Sequence, residues 1–318
     1  MGFDEIKFSD LLLFADGTAR LKGCPNTGSH LMPMPDGHEA ELIKLRQILS
    51  DLDHSVMRLR FGEAYYRVER IDDVDGQRIW FLRKLEDTVR DFCELGLNPV
   101  VTNWLIQQRH GLVLFAGAQA SGKTTTASSY VCKKLSMDGG HGVTFEFPAE
   151  LPLAGPQGKF GYCIQTEIAN ETELAQKIER AHRYSSPDVI FIGEIRTKYA
   201  ALEALRIALG SNRQLVVATI HGQDVPSALD RLVSGARELD GDNVCQNLAD
   251  ALLAILHLTL ESDGTGSLCL STSQYLLLPF NEEAKGIRSK LRDGKFSALA
   301  DDIRQLKARI ANKKELGI

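Results

Sequence analysis

The amino-acid sequence predicts an α/β protein built on a mostly parallel sheet, preceded by a smaller α+β domain. A short, wholly apolar run, typical of a strand buried on both faces, occurs at residues 112–116, and mostly apolar runs of the same kind follow at 143–147, 189–192 and 215–220. Amphipathic segments with helical spacing separate these runs, at residues 123–135, 171–184, 199–209 and 225–238. Buried strands that alternate with helices are typical of parallel sheets. The length of 318 residues, 43% of them hydrophobic and 25% charged, is enough for two domains with ordinary cores.

Residues 1–95 are predicted to form the α+β domain and its linker. Clusters of Pro, Gly and Asn predict an irregular segment over residues 1–40. The periodicity that follows predicts a helix over 38–54, a strand over 58–71, a turn at 72–76, a strand over 77–82 and a helical segment over 88–108 that is broken at 96–99.

Residues 96–318 are predicted to form the larger domain. Its last stretch, from about 282 to 316, is charged and amphipathic, which predicts helices. The high charge indicates an appendage to the domain rather than a part of its core.

Composition and charge exclude several classes of protein. The net charge of −5 gives no general attraction to nucleic acid or to an anionic membrane. The longest apolar stretches, at 112–118 and 251–260, are shorter than the ~20 residues of a membrane span, and the acidic N-terminus lacks the features of a signal peptide. The six cysteines include no Cys-x-x-Cys pair, which favours reduced thiols over disulfides or a zinc site. The sequence therefore predicts a cytoplasmic protein.

One segment matches the phosphate-binding loop Gly-x-x-x-x-Gly-Lys-Ser/Thr in full, between an apolar strand and a helix. Glycines in such a loop let consecutive backbone N–H groups point at phosphate oxygens, and the helix that follows adds its positive end. We expect Lys123 to reach the β- and γ-phosphates of a nucleotide and the Thr124 hydroxyl to bind Mg²⁺. The predicted nucleotide-binding residues are Gly117, Ala118, Gln119, Ala120, Ser121, Gly122, Lys123, Thr124 and Thr125.

A carboxylate ends the predicted strand over 189–192. Glu194 follows this strand closely, and ligands of open α/β sheets bind at the carboxyl ends of parallel strands. Glu194 is therefore a candidate to hold either the metal ion or the attacking water. Asp188, at the start of the same strand, lies at the wrong end and is predicted to serve a turn or a helix cap.

Three further motifs resemble those of the secretion ATPases, the hexameric motors of type II secretion and type IV pili. Gly193-Glu194-Ile195-Arg196 matches their Gly-Glu-[Ile/Met]-Arg signature. The segment from Thr144 to Glu150 resembles their aspartate box, and Ala218-Thr219-Ile220-His221 resembles their histidine box. The resemblance runs from about residue 60 to about residue 295 and is strongest over 111–232.

The resemblance implies a fold and a set of roles. It implies a RecA-like ATPase core, a PAS-like N-terminal domain and a helical C-terminal extension, with ATP and Mg²⁺ bound. Glu150 would orient the water that attacks the γ-phosphate, Glu194 would hold the Mg²⁺ shell, and His221 would sense the γ-phosphate. Arginines of the N-terminal domain would approach the nucleotide, and Arg67 and Arg83 match those positions best. A solvated sheet face is the alternative explanation for these two arginines.

The sequence departs from the family pattern at two points. Phe147 stands where the aspartate box has an acid, and Gly222-Gln223 follow His221 in place of small hydroxyl residues. Residues 286–295 resemble in part a helix of pilus retraction motors, and the four-cysteine module of the assembly motors is missing. These features favour the branch of retraction or type IVB secretion motors.

The resemblance implies a ring, expected to be a hexamer, on the cytosolic face of an inner-membrane pilus or secretion platform, with no nucleic-acid partner. Three alternatives stay open. A ring helicase or DNA translocase would need a basic stripe with stacking aromatics, and the sequence has 7% aromatic residues. A small-molecule P-loop kinase would place its lid after the core rather than a domain before it. A nucleotide-gated scaffold with little turnover is left open by Phe147.

Overall fold

A computed structural model describes residues 3–51, 56–168, 171–210, 213–262 and 268–311. The chain divides into two compact units. The first unit contains Met1–Thr88 together with Glu150–Pro152, and the second contains Val89–Ala149 and Leu153–Ile318. In the described part of the chain, no helix combines the length and apolar character needed to cross a membrane.

The first unit is built on an antiparallel sheet of six strands in the order β3-β2-β1-β6-β5-β4. Its elements are β1 (Asp10–Leu13), β2 (Ala19–Lys22), β3 (Met32–Pro33), α1 (Glu39–Ser50), β4 (Val56–Phe61), β5 (Ala64–Asp72) and β6 (Arg78–Lys84). The side chains of β5 alternate, so that Tyr66 and Val68 are buried while their neighbours face outward. Helix α1 buries Leu42, Leu45 and Leu49, whose spacing places them on one helix face in the same core.

Three expectations for this region are wrong. Residues 1–40 are not irregular, because β1, β2 and β3 pair there and bury Leu11 and Leu21. The strand expected over 58–71 is two strands, because Gly62 adopts a φ of 62° and turns the chain back between β4 and β5. The segment before the break at 96–99 is a single 3-10 turn over Phe92–Glu94, not an α-helix.

The second unit contains an eight-stranded sheet in the order β14-β13-β7-β12-β11-β8-β10-β9. Its elements are α2 (Pro99–Gln107), β7 (Gly111–Gly117), α3 (Lys123–Asp138), β8 (Gly140–Glu146), β9 (Gly155–Gln157), β10 (Gly161–Glu167), α4 (Glu171–Ser185), β11 (Val189–Ile195), α5 (Lys198–Gly210), β12 (Leu215–His221), α6 (Val225–Asp240), α7 (Asn243–Ala251), β13 (Leu252–Ser262), β14 (Leu268–Leu277), α8 (Lys285–Arg292) and α9 (Ala300–Ala311).

The strands from β13 to β10 are parallel, and β14 and β9 add antiparallel edges. Every residue of β7 is buried, which follows from its wholly apolar sequence and its place near the middle of the sheet. The predicted α/β class with a mostly parallel sheet is confirmed.

The C-terminal segment is part of the core, so the expected appendage is wrong. Leu291, Phe296, Leu299 and Ile303 are buried in the same cluster as the sheet. The guanidinium of Arg288 lies inside the protein, where it donates to the carbonyl oxygens of Leu278 (2.8 Å) and Ala249. The other charged side chains of this segment that the structure describes are exposed or half-buried, on the outer faces of its helices. The predicted helix over 312–316 lies outside the described residues.

Candidate functional site

The loop between β7 and α3 has the backbone of a phosphate cradle. Gly117 has a φ of 151°, and a Cβ atom there would lie 2.4 Å from Ser121 Oγ and 2.6 Å from the carbonyl oxygen of Leu258. Ala120 has a φ of 58°, a left-handed conformation that non-glycine residues seldom adopt, and Gly122 follows with a φ of 87°. These torsions curl the backbone back on itself, and strained turns of this kind concentrate at functional sites.

Helix α3 begins directly after this loop, at Lys123, and has no side-chain cap at its N-terminus. The N–H groups of its first turn have no partner within the helix, so they form a site of positive potential for an anion. The ammonium group of Lys123 is held in the loop, where it donates to the carbonyl oxygen of Ala118 at 2.5 Å, and only 7% of this residue is exposed. Loop, helix end and lysine therefore fit a phosphate group.

The parallel sheet brings the other second-unit candidates to the same edge. Gly117 at the end of β7 is in register with His221 at the end of β12, and β11 runs beside β12. The Nε2 atom of His221 lies 2.7 Å from Oε1 of Glu194, and Arg196 contacts the other carboxylate oxygen of Glu194. Thr219 donates to the carbonyl oxygen of Gly193 at 2.5 Å, which ties the two strands together just before this pair.

The electrostatics of this edge favour an anionic ligand. Burial lowers the pKa of His221 below its ordinary value, and Glu194 opposes that shift. The positive charges of Lys123, Arg231 and Arg196 lower the pKa further. Three positive charges and the carboxylate of Glu194 thus act on His221, with a net effect that lowers its pKa. Arg231, on α6, is not among the residues selected from the sequence as site residues.

Glu146 is a second carboxylate at this edge that the sequence did not select. It ends β8, is 2% exposed, and accepts hydrogen bonds from Thr144 Oγ1 (2.7 Å) and Gln165 Nε2 (2.9 Å). Its partners come from β8 itself and from β10, so it ties two strands together. Phe147 follows it and is partly exposed, so this position of the aspartate box carries no charge.

Glu150, Arg67 and Arg83 belong to the first unit. Glu150 Oε1 lies 3.6 Å from the guanidinium of Arg67, and Arg83 donates to Asp10 at 2.7 Å. Arg67 on β5 is in register with Arg83 on β6 and with Arg58 on β4. We call Arg58, Arg67 and Arg83 the arginine row. Arg58 was missed because the turn at Gly62, which sets its pairing, was not predicted.

The oxygen donors of the second unit fit Mg²⁺ rather than a transition metal. Within the described ranges, no cluster of three or more His, Cys, Asp or Glu side chains could hold a metal ion. Mg²⁺ needs no such cluster, since it is bound through one or two protein oxygens with phosphates and water as the remaining ligands. The hydroxyl of Thr124 and the carboxylate of Glu194 are donors of that class. Asp188 accepts from the backbone N–H of His141 in β8 at 2.9 Å, so its side chain joins the starts of β8 and β11 rather than serving the predicted turn or helix cap.

Comparison with known proteins gives concordant matches. The profile of the family described as "Type II/IV secretion system protein" matches residues 57–287. The type II secretion system protein HxcR of Pseudomonas aeruginosa is 35% identical over 177 residues, covering 54% of this chain and 36% of HxcR. The type IV pilus ATPase PilU of the same organism is 30% identical over 154 residues, covering 48% of this chain and 38% of PilU.

A solved structure of the pilus retraction motor PilT with bound ADP has a TM-score of 0.74 at 24% identity. The match covers 95% of this chain and 87% of PilT, so the two share a fold. The matches to the first curated relatives span between 24% and 54% of those relatives' lengths.

Proposed function

We propose, from the premise that the chain belongs to the family of type II/IV secretion system proteins, that it is an ATPase that powers a pilus or secretion machine. The observation that carries the proposal is the strained loop before the uncapped N-terminus of α3, beside the Glu194–His221 pair. The reaction is the hydrolysis of ATP to ADP and phosphate. The names of relatives such as PilU and HxcR support the same conclusion.

The loop residues from Gly117 to Thr125 bind the phosphates through backbone N–H groups, and Lys123 neutralises the β- and γ-phosphates. Thr124 and Glu194 hold Mg²⁺. When bound, this ion neutralises charge that develops on the phosphate oxygens. Because phosphoryl transfer depends mainly on positioning and electrostatics, these residues supply most of the groups that the reaction needs.

The remaining roles concern water and the γ-phosphate. Glu150 orients the attacking water, a task for which a carboxylate is suited. Burial and nearby positive charges lower the pKa of His221, which favours the neutral ring with a single N–H. That N–H can donate either to Glu194, whose Oε1 lies 2.7 Å from Nε2, or to the γ-phosphate, so a change of partner would let His221 sense the phosphate. Arg67 and Arg83 supply charge to the transition state, because an arginine stays protonated and presents fixed donors.

The work of the protein follows from its family. The chain assembles as a ring, expected to be a hexamer, on the cytosolic face of an inner-membrane pilus or secretion platform, and converts ATP hydrolysis into motion of its two units. Phe147 supports one second candidate, a nucleotide-gated scaffold with little turnover, because it removes a negative charge from the aspartate box.

A matched pair of lysine variants tests the proposal. Lys123→Ala should abolish ATP turnover, because it removes the cation that the loop holds. Lys133→Ala changes a lysine on the same helix that instead contacts Asp91, at 3.0 Å, and should keep turnover within about twofold, since an exposed ion pair contributes little. Phosphate release and nucleotide binding are measured for both. Equal rates for Lys123→Ala and wild type would reject the site, and binding without release in the wild type would favour the scaffold.

A further inference from the structure

His257 lies near the carboxyl end of β7, on the side of the second unit where the candidate site is found, and no motif includes it. It belongs to β13, in register with Ala116 of β7, and is 6% exposed. Its Nδ1 atom lies 2.6 Å from Ser273 Oγ on β14. Its Nε2 atom lies 3.1 Å from the carbonyl oxygen of Gly222, which follows β12. Strand β7 lies between β13 and β12, so the imidazole of His257 reaches across β7 to contact Gly222. The β7 residue in register at this point is Ala116, whose side chain is only a methyl group.

Gly222 directly follows His221, and its position leaves little freedom. Its N–H donates to the carbonyl oxygen of Gly117, at 3.4 Å, and a Cβ atom at residue 222 would lie 2.7 Å from the Cβ atom of Ala228. Further along, the N–H of Val225 donates to Gln274 Oε1 on β14, at 2.9 Å. Contacts with the phosphate-binding loop, with α6 and with the β13–β14 pair thus hold the segment after His221 in place.

The hydrogen bonds of His257 indicate which of its ring nitrogens carries the hydrogen. A carbonyl oxygen can only accept, so the Nε2 atom must carry a hydrogen to bond with Gly222. In the neutral imidazole, the Nδ1 atom then accepts from the hydroxyl of Ser273, which fixes the ring plane. His257 therefore donates a hydrogen bond in a fixed direction to Gly222, the residue after His221.

We propose that His257 is a positioning residue for ATP hydrolysis, holding the backbone at Gly222 so that His221 stays against Glu194. This inference rests on the proposed function. His257 touches none of the groups assigned to nucleotide or metal; it acts through Gly222 and His221. A displacement of about 1 Å in an active-site group can lower a rate by about 100-fold, so a buried hydrogen bond at this point affects turnover more than binding.

Two substitutions separate the hydrogen bonds of His257. The amide of His257→Gln can still donate to Gly222, whereas His257→Asn is too short to reach it but can still face Ser273. We expect His257→Asn to lower kcat by about 10- to 100-fold with KM for ATP within about twofold, and His257→Gln to keep kcat within about threefold. Ser273→Ala, a smaller change, should lower kcat by about two- to tenfold.

His182 provides the matched control. Its Nδ1 atom lies 2.6 Å from Oε1 of Gln214, which precedes β12, so it makes a comparable hydrogen bond at the opposite end of that strand. His182→Asn should leave kcat unchanged. If His257→Asn lowers kcat no more than His182→Asn, or if His257→Gln loses as much as His257→Asn, the proposal is overturned.

Amide hydrogen exchange tests the positioning without turnover. In His257→Asn the amides of residues 222–225 should exchange faster than in the wild type, while those of 112–116 stay unchanged. Wild-type protein that hydrolyses no ATP would overturn the proposed function and, with it, a role in hydrolysis. Unchanged exchange at 222–225 would overturn the positioning role even in an active enzyme.

Discussion

The second unit concentrates its candidate residues in short contiguous segments, whereas the first unit assembles its arginine row from three different strands. A phosphate-binding loop works through successive N–H groups, so its residues must be neighbours in sequence. Arg58, Arg67 and Arg83 become neighbours only through strand pairing. The comparison teaches that chemistry carried by a loop can be recognised in sequence, while chemistry carried by a sheet face depends on the register.

The two regions also differ in how they balance charge. Like charges directly opposite in a sheet are destabilising, and the arginine row places three arginines side by side, offset by Asp10 and Glu150. In the second unit, the positive charges of Lys123, Arg196 and Arg231 act on His221, whose ring contacts the carboxylate of Glu194. In the first unit, the two carboxylates and the ring of Tyr65, over which the guanidinium of Arg58 lies at 4.2 Å, offset the repulsion within the row.

The largest effect is expected from changes in the C-terminal helices, and it tests whether the core of the second unit extends to them. Leu291→Ala should lower the free energy of unfolding by about 2–5 kcal/mol, because Leu291 is fully buried beside the sheet. Removal of all residues after Pro279 should unfold the second unit. Trp104 is buried there and Trp80 in the first unit, so single-tryptophan variants report each unit by fluorescence.

Ser289→Ala, an exposed position on the same helix, is the control and should change stability by less than about 0.5 kcal/mol. A folded, active protein that lacks the residues after Pro279 would restore the interpretation of this segment as an appendage.

The next effect concerns Glu150, which the first unit holds against Arg67. Glu150→Gln should bind ATP normally and hydrolyse it at least ~10²-fold more slowly, the usual contribution of a positioned general base. Its exposed contact with Arg67 contributes little to stability, so folding should be unaffected. Single-turnover rates and nucleotide binding are measured in parallel.

Glu194→Gln provides the contrast and should raise the Mg²⁺ concentration needed for activity. If Glu194→Gln alone shows normal binding with slow hydrolysis, while Glu150→Gln stays near wild type, the base has been assigned to the wrong residue.

A smaller effect is expected from the arginine row. Arg67→Ala and Arg83→Ala should each lower turnover roughly tenfold or more. This lower limit is smaller than the ~10³–10⁵-fold rate increase that an arginine finger supplies. Arg58→Ala should act in the same direction. Stability should stay equal or rise, since each change relieves repulsion between like charges. Arg70 lies on the opposite face of β5 by strand alternation, so Arg70→Ala is the control. Rates near wild type for all four variants would identify the row as a solvated face.

The sequence predicted the second unit better than the first for physical reasons. Strand β7 is apolar throughout, and β11 and β12 each begin with four apolar residues, so their burial could be predicted without knowledge of their partners. Strands β1 and β2 have four residues each and lie among turn-forming residues, so local pattern could not separate them from loops. The loop at Gly117 and the candidates Glu194 and His221 were identified by motif and resemblance. Glu146 and His257 bond to residues that are far from them in sequence, namely Gln165 for Glu146 and Ser273 and Gly222 for His257, so no local pattern marks either residue.

The smallest effect is expected from two residues in the left-handed backbone conformation, one in each unit. Ala120 in the phosphate-binding loop has a φ of 58°, and Asn26 in the first unit has a φ of 64°. Both are exposed, but asparagine tolerates this conformation and alanine does not. Ala120→Gly should raise the free energy of unfolding by up to about 1 kcal/mol, since the strain removed exceeds the entropy that glycine adds to the unfolded chain. Asn26→Gly should change it by less than half as much. Denaturant unfolding followed through Trp104 and Trp80 measures each unit separately. A loss of stability in Ala120→Gly would show that contacts of the Ala120 methyl group stabilise the loop by more than its backbone conformation strains it.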